Sequence, residues 1–403
     1  MKIKNKISFY SFLMVLLFSA SSKAQFVNNG NSLTIQNGAF LTVNGDFSNL
    51  AGTIQNFGEL TVKGNWLNND ASGVFALAST GNTVLNGTDQ SIGGSQKTNF
   101  PNLTLAGTGV KKLLTDADVR ATLRLNNLEF AVEDKSLSVL GTAVGSIVYT
   151  TGFVSTNSKG FLYRHTNTAD DYVFPLGSKL NGSLIYRPVT VKTKDNLDNT
   201  VGLSFVEKDP TTEGYDRSLK RFDVNEINPK YFYLADQKSG NSLLEYQFLF
   251  DKTVDGNFNQ LVNWINFGLW EKAGVSNIRP LATAQPDMML ATFTTLKPVS
   301  KLPLTMSFIT PVNDPITIFN SFSPDGDGKN DTWEIKNIDL FPDNEITILN
   351  RWGSEVFKAK NYNSANAWNG GGLNSGTYFY LLKVNINNEA KVYKGFITLL
   401  RND

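Results

Sequence analysis

The sequence predicts an all-β protein with an N-terminal parallel β-solenoid, a middle β-sandwich and a C-terminal immunoglobulin-like antiparallel β-sandwich. Three observations carry this reading. Short apolar-polar-apolar runs recur about every twenty residues between Phe26 and Gly141. Strand-like stretches separated by turn residues, with no helical period, fill Thr142 to Leu304. Alternating runs return after a proline-rich break and continue to the end of the chain. At 403 residues the chain exceeds the roughly 250–300 that one core supports, so several domains are expected.

Residues 1–24 read as a signal peptide. Lys2, Lys4 and Lys6 precede an apolar run from Phe9 to Ala20, and Ser22-Lys23-Ala24 places small residues where a signal peptidase reads. The run is shorter than the roughly 20 residues that span a bilayer, and an uncleaved anchor is the alternative. Its removal leaves 33 basic groups against 36 acidic ones, a net charge of about −3 that argues against a nucleic-acid partner. No later segment is long and apolar enough to span, so the mature chain is expected to have no transmembrane segment.

The solenoid is assigned to 25–141. Runs begin at Leu41, Leu60, Thr83, Leu103 and Leu123, with spacings of 19, 23, 20 and 20 residues. One short strand per unit, stacked at ~4.8 Å, gives a prism on the order of 24 Å long over five coils. Within each run, as in Leu41-Thr42-Val43, two apolar side chains share a face. Asn44-Gly45 and Asn86-Gly87 suit tight corners. An antiparallel sandwich with recurring hairpins is the competing geometry, and a repeat that outlasts three units favours the solenoid.

The middle domain is assigned to 142–304, with strand-like stretches such as FLYRHT at Phe161, LLEYQFLF at Leu243 and WINFGLWEK at Trp264. A linker is placed at 305–315, within a stretch broken by Pro298, Pro303, Pro311 and Pro315. Residues 316–403 form the last domain, of ordinary size.

FSPDGDGKNDTWEI from Phe322, ITILNRWGSEVF, AWNG, SGTYFYLL and KGFITLLR follow one another in that last segment. In that order they resemble the gliding-motility-associated C-terminal domain of Bacteroidetes, the type B sorting domain of the type IX secretion system. Two departures are Asp325, where the family usually has Asn, and the lack of a Pro before Gly376-Thr377-Tyr378. The resemblance implies Sec export, passage across the outer membrane, recognition of the terminal domain by the type IX machinery, and a final location at the cell surface or outside.

Two constellations invite a ligand. Asp325, Asp327 and Asp331 stand at the first, third and seventh positions of a Gly-rich loop, a spacing that can offer oxygens to Ca²⁺. Lys329 and Lys336 occupy positions where an EF-hand has ligands, so the loop is not one, and a turn of Asp side chains on backbone amides is the alternative. A structural Ca²⁺ is the one cofactor suggested. Read as one strand, WINFGLW puts Trp264 and Trp270 on the same face about 20 Å apart, where they could stack on sugar rings or pack on a neighbour.

Enzymatic equipment is sparse. Cysteine is absent and His165 is the sole histidine, which excludes thiol catalysis and multi-histidine metal sites. The adjacent acids Glu133-Asp134 and Asp170-Asp171 do not select a converging pair. A non-enzymatic surface or secreted structural and interaction protein, adhesin-like, is the leading expectation, with a surface glycan or protein as ligand. A polysaccharide-binding or polysaccharide-degrading enzyme on the same secretion route is the alternative.

Overall fold

Leu41 and Val43 pair in parallel register with Leu60 and Val62, and these in turn with Thr83 and Leu85. The computed structural model thus stacks the repeat coil on coil; it describes residues 25–30, 32–179, 182–265, 268–282, 285–310, 315–386 and 389–401. The proposed signal peptide lies outside the described residues. Strands make up 53% of the described residues.

The N-terminal region is a parallel β-solenoid of about seven turns. Three strands form most coils, where one per unit is expected from the sequence. The five runs read from the sequence all fall on one face, a six-stranded sheet from Phe40–Val43 to Ile147–Tyr149. A second face carries seven strands, from Phe26–Asn29 to Phe153–Thr156. The third face is shorter at its start, with Leu33–Ile35 and Ile54–Asn56, and resumes at Thr98–Phe100. These extra strands are three to five residues long and many carry Asn or Ser, so alternation alone did not mark them.

Inside the coils, like stacks on like. Phe26, Phe47 and Trp66 occupy equivalent positions, with stacked rings whose centroids lie 5.4 and 4.2 Å apart. Two residues further on, Asn28, Asn49 and Asn68 form a buried amide ladder with hydrogen bonds of 2.8 and 3.4 Å. Each amide donates to the next, which satisfies polar groups that burial would otherwise penalise.

Parallel pairing continues past Gly141 to Phe161–Thr166, which pairs in parallel with Ser136–Val139. On its other side the same strand pairs antiparallel with Asn199–Val206. The third solenoid face therefore runs unbroken into the middle region, through Asn199–Val206, Phe232–Ser239, Leu302–Ile309, Gln260–Ile265 and Leu269–Lys272. A second, five-stranded sheet runs Tyr172–Phe174, Val189–Thr193, Leu244–Asp251, Gln285–Thr294 and Val275–Ala282. Tyr233 of the first meets Phe248 of the second with ring centroids 4.7 Å apart, so the two sheets share a core.

One assignment needs correction. The sequence places a linker from 305, but Leu302–Ile309 is an inner strand bonded to Phe232–Ser239, Gln260–Ile265 and Val224–Ile227. Pro303 is tolerated because it is the second residue of that strand, where a missing N–H costs little. The chain divides into two compact units between Ile309 and Thr310.

The second unit is built on a five-stranded sheet in the order Ser321–Phe322, Glu389–Leu399, Gly376–Ile386, Asn344–Leu349, Glu355–Lys360, beside a two-stranded ribbon of Thr317–Ile318 and Ile335–Lys336. Its pairings are antiparallel except between Ser321–Phe322 and Glu389–Leu399. Trp333, Tyr362 and Trp368 form its buried centre. The Tyr362 hydroxyl donates to the Trp333 carbonyl and accepts from the Trp368 amide at 3.0 Å.

Candidate functional site

Trp264 and Trp270 are not spaced along one strand. Gln260–Ile265 and Leu269–Lys272 form a hairpin in which the two tryptophans are cross-strand partners, with ring centroids 5.6 Å apart. Gly268 takes the positive φ of +74° that the reversal requires. This overturns the 20 Å spacing, because a turn interrupts what reads as continuous alternation. Trp270 is fully buried, and its indole N–H donates to the Tyr215 carbonyl at 3.2 Å. Trp264 is half-buried, held edge-on against Tyr215. The pair packs with Val224, Ile227, Val262 and Ile309, which leaves Trp270 no face for a sugar ring.

A cleft of about 670 Å³ opens beside the pair, lined by Trp264, Asn263, Ile265, Glu271, Phe293 and Ser300 among others. Glu271 is its acid, and Arg221 donates to that carboxylate from Nη2 at 3.1 Å. Acid-base glycoside chemistry needs a second converging carboxyl. His165 sits on Phe161–Thr166, and burial pushes its imidazole below the ordinary 6.5. Asp170 and Asp171 lie in the turn that follows, and Glu133 pairs with Lys112 at 2.6 Å.

In the second unit the loop 325–331 is exposed, and the carboxylates of Asp325, Asp327 and Asp331 come within 4.8 Å of one another. Hydrogen bonds within the loop hold all three. Asp331 accepts from the amides of Gly326 at 2.6 Å and Gly328 at 2.9 Å. Asp325 accepts from Asp327, and Asp327 from Lys329. Gly326 and Gly328 have positive φ, so the repeated Asp-Gly pairs build a loop whose amides point inward at Asp331. The donor set is all oxygen, which suits a hard cation, but the carboxylates are already engaged with amides.

The remaining motifs of this unit are explained by its geometry. In NRWG, the Asn350 side chain accepts from the amides of Trp352 and Ser354, both at 3.0 Å, closing the hairpin between Asn344–Leu349 and Glu355–Lys360. In AWNG, Trp368 is buried and exchanges backbone contacts with Trp333. In KGF, Gly395 lies under Tyr380, and a Cβ there would come 2.8 Å from the tyrosine hydroxyl. Residues 316–399 match the family model described as the CHU_C Type IX secretion signal domain. The terminal unit carries a type IX sorting signal.

The CHU_C domain indicates export to the cell surface or the extracellular space and implies interaction with the secretion machinery. No curated protein and no solved structure matches the chain. Among the described residues no helix is long and apolar enough to cross a membrane.

Proposed function

We propose that the protein is an adhesin-like structural and interaction protein of the cell surface or its surroundings, delivered by its CHU_C domain after removal of residues 1–24 as a signal peptide. The middle of the first unit is read as a β-sandwich and the terminal unit as an immunoglobulin-like sandwich. The observation that carries this reading is the sheet continuous from the third solenoid face into the middle region. Backbone hydrogen bonds along that sheet join the coils and the middle region without a hinge, as a spacer that presents a surface requires. A surface glycan or protein is the ligand of this reading. A polysaccharide-degrading activity gains little support, because Trp270 is buried and Glu271 faces Arg221.

The test is cell fractionation with the full chain and with a chain lacking 316–403, followed by binding of the purified full chain to surface polysaccharides and to whole cells. Surface delivery that depends on 316–403, together with binding and no release of sugar fragments, supports the proposal. Unchanged delivery of the truncated chain defeats the export reading, and release of oligosaccharides defeats the non-enzymatic one.

A further inference from the structure

The five-stranded sheet of the CHU_C domain has two unlike faces. Ile346, Ile348, Tyr378, Leu382, Ile397 and Leu399 point to the buried side. On the other side Leu349, Phe379 and Phe396 are direct cross-strand neighbours and form an apolar row over three strands. Phe379 is 46% exposed and Phe396 52%, and the half-exposed Leu400 lies four residues along the same strand direction from Phe396. Aromatic residues opposite one another on an open face add little to a domain whose core lies on the other side, and such patches mark interaction surfaces.

Charge flanks the row on one side. In the next two rows stand Lys358, Lys394, Lys360 and Lys383, all exposed. Glu345 is paired with Lys358 at 2.8 Å, and Glu355 lies opposite Leu349. Three lysines therefore face one further acid. An apolar centre with aromatic anchors and a charged rim is the usual anatomy of a protein interface.

We propose that this face, centred on Phe379 and Phe396, is the surface by which the type IX secretion machinery reads the domain, and that the receptor presents an apolar patch with an acidic rim. The proposal rests on the export reading of the terminal unit and adds the surface and the chemistry of the partner. The match to a secretion signal domain supplies an occupant, since a sorting signal acts by being bound. The basic rim supplies the sign of the receptor's charge.

The test uses the full chain in cells with a working type IX system, with surface delivery read by protease accessibility on intact cells. The variants are F379S/F396S, F379L/F396L, K383E/K394E and a chain lacking 316–403. F379S/F396S is expected to lower surface delivery ~10-fold or more, as the loss of two interface anchors should. The purified variant should melt within about 2 °C of the wild type, because exposed side chains contribute little to stability. F379L/F396L should retain most delivery, and K383E/K394E should fall in the same direction as the serine variant. Should F379S/F396S unfold, K383E/K394E decides, and wild-type delivery by it overturns the proposal. Wild-type delivery by a folded F379S/F396S while the truncated chain stays inside overturns the face and leaves the export reading standing. Delivery of the truncated chain overturns both. A dimer, or binding to lipid vesicles, that F379S/F396S abolishes without changing delivery assigns the face to a second copy or to a membrane, and also overturns the proposal.

Discussion

Trp264 and Trp270 face each other across one hairpin, ring centroids 5.6 Å apart, and only Trp264 keeps any exposure. Trp270→Ala removes a fully buried indole from the cluster with Val262 and Ile309, so unfolding free energy should drop by about 3–5 kcal/mol. Trp264→Ala should cost less, since part of its surface is already in water. Denaturant titration of the two variants measures the difference. Equal costs, or loss of sugar binding with no loss of stability in Trp270→Ala, would contradict the packing role.

Lys111 gives a pH-dependent prediction. It is fully buried in the solenoid, and its ammonium donates to the carbonyls of Gly87 and Thr108, both at 2.9 Å, and of Thr88. Lys111→Met leaves those carbonyls without their donor and should cost about 1–3 kcal/mol. Burial pushes the ammonium down to about 8 from its ordinary 10.5, so the unfolded chain holds this proton more tightly. The wild type should therefore gain stability relative to Lys111→Met as pH rises from about 8 to 10.5, and the gap between them should widen. Urea titrations near both ends of that window read the sign, and a narrowing gap would reverse it.

Gly395 and Tyr380 form a second coupled pair. Gly395→Ala forces a Cβ to 2.8–3.0 Å from the ring and hydroxyl of Tyr380, which also packs 5.1 Å from Trp333. Overpacking of this kind should cost about 1–3 kcal/mol. In a Tyr380→Ser background the same alanine should cost much less, and a double-mutant cycle on thermal melts measures the coupling. Additive costs would mean that the glycine serves the backbone alone.

Legibility in the sequence followed local chemistry. The six-stranded solenoid face was readable because Leu41, Leu60, Leu103 and Leu123 each begin a strict alternation; the other faces use Asn and Ser inside, as at Asn49 and Asn68, where amide ladders replace apolar contacts. The Trp264 hairpin escaped because Gly268 reverses the chain inside an unbroken apolar alternation, and no Asn-Gly or Pro announces it. Leu302–Ile309 was hidden by Pro303, whose position near the strand's beginning decides its effect. The aromatic row of the CHU_C domain depends on register: Leu349, Phe379 and Phe396 are far apart in sequence, and only pairing brings them together.

The loop 325–331 yields the last prediction, which separates two uses of the same carboxylates. Asp331 accepts two backbone amides, from Gly326 and Gly328, and so fixes the turn from its end. Asp331→Ala leaves those exposed amides to water and should cost about 0.5–1.5 kcal/mol, read as a small fall in the melting temperature. A turn held by amides gains nothing from metal, so the wild type should melt alike in EDTA and in millimolar Ca²⁺. Asp331→Asn separates the two uses further: it keeps an acceptor oxygen for one of the two amides while removing charge that a cation would need. If Ca²⁺ raises the melting temperature of the wild type and Asp331→Asn abolishes that rise, the three aspartates are cation ligands and the amide-held turn is not their main role.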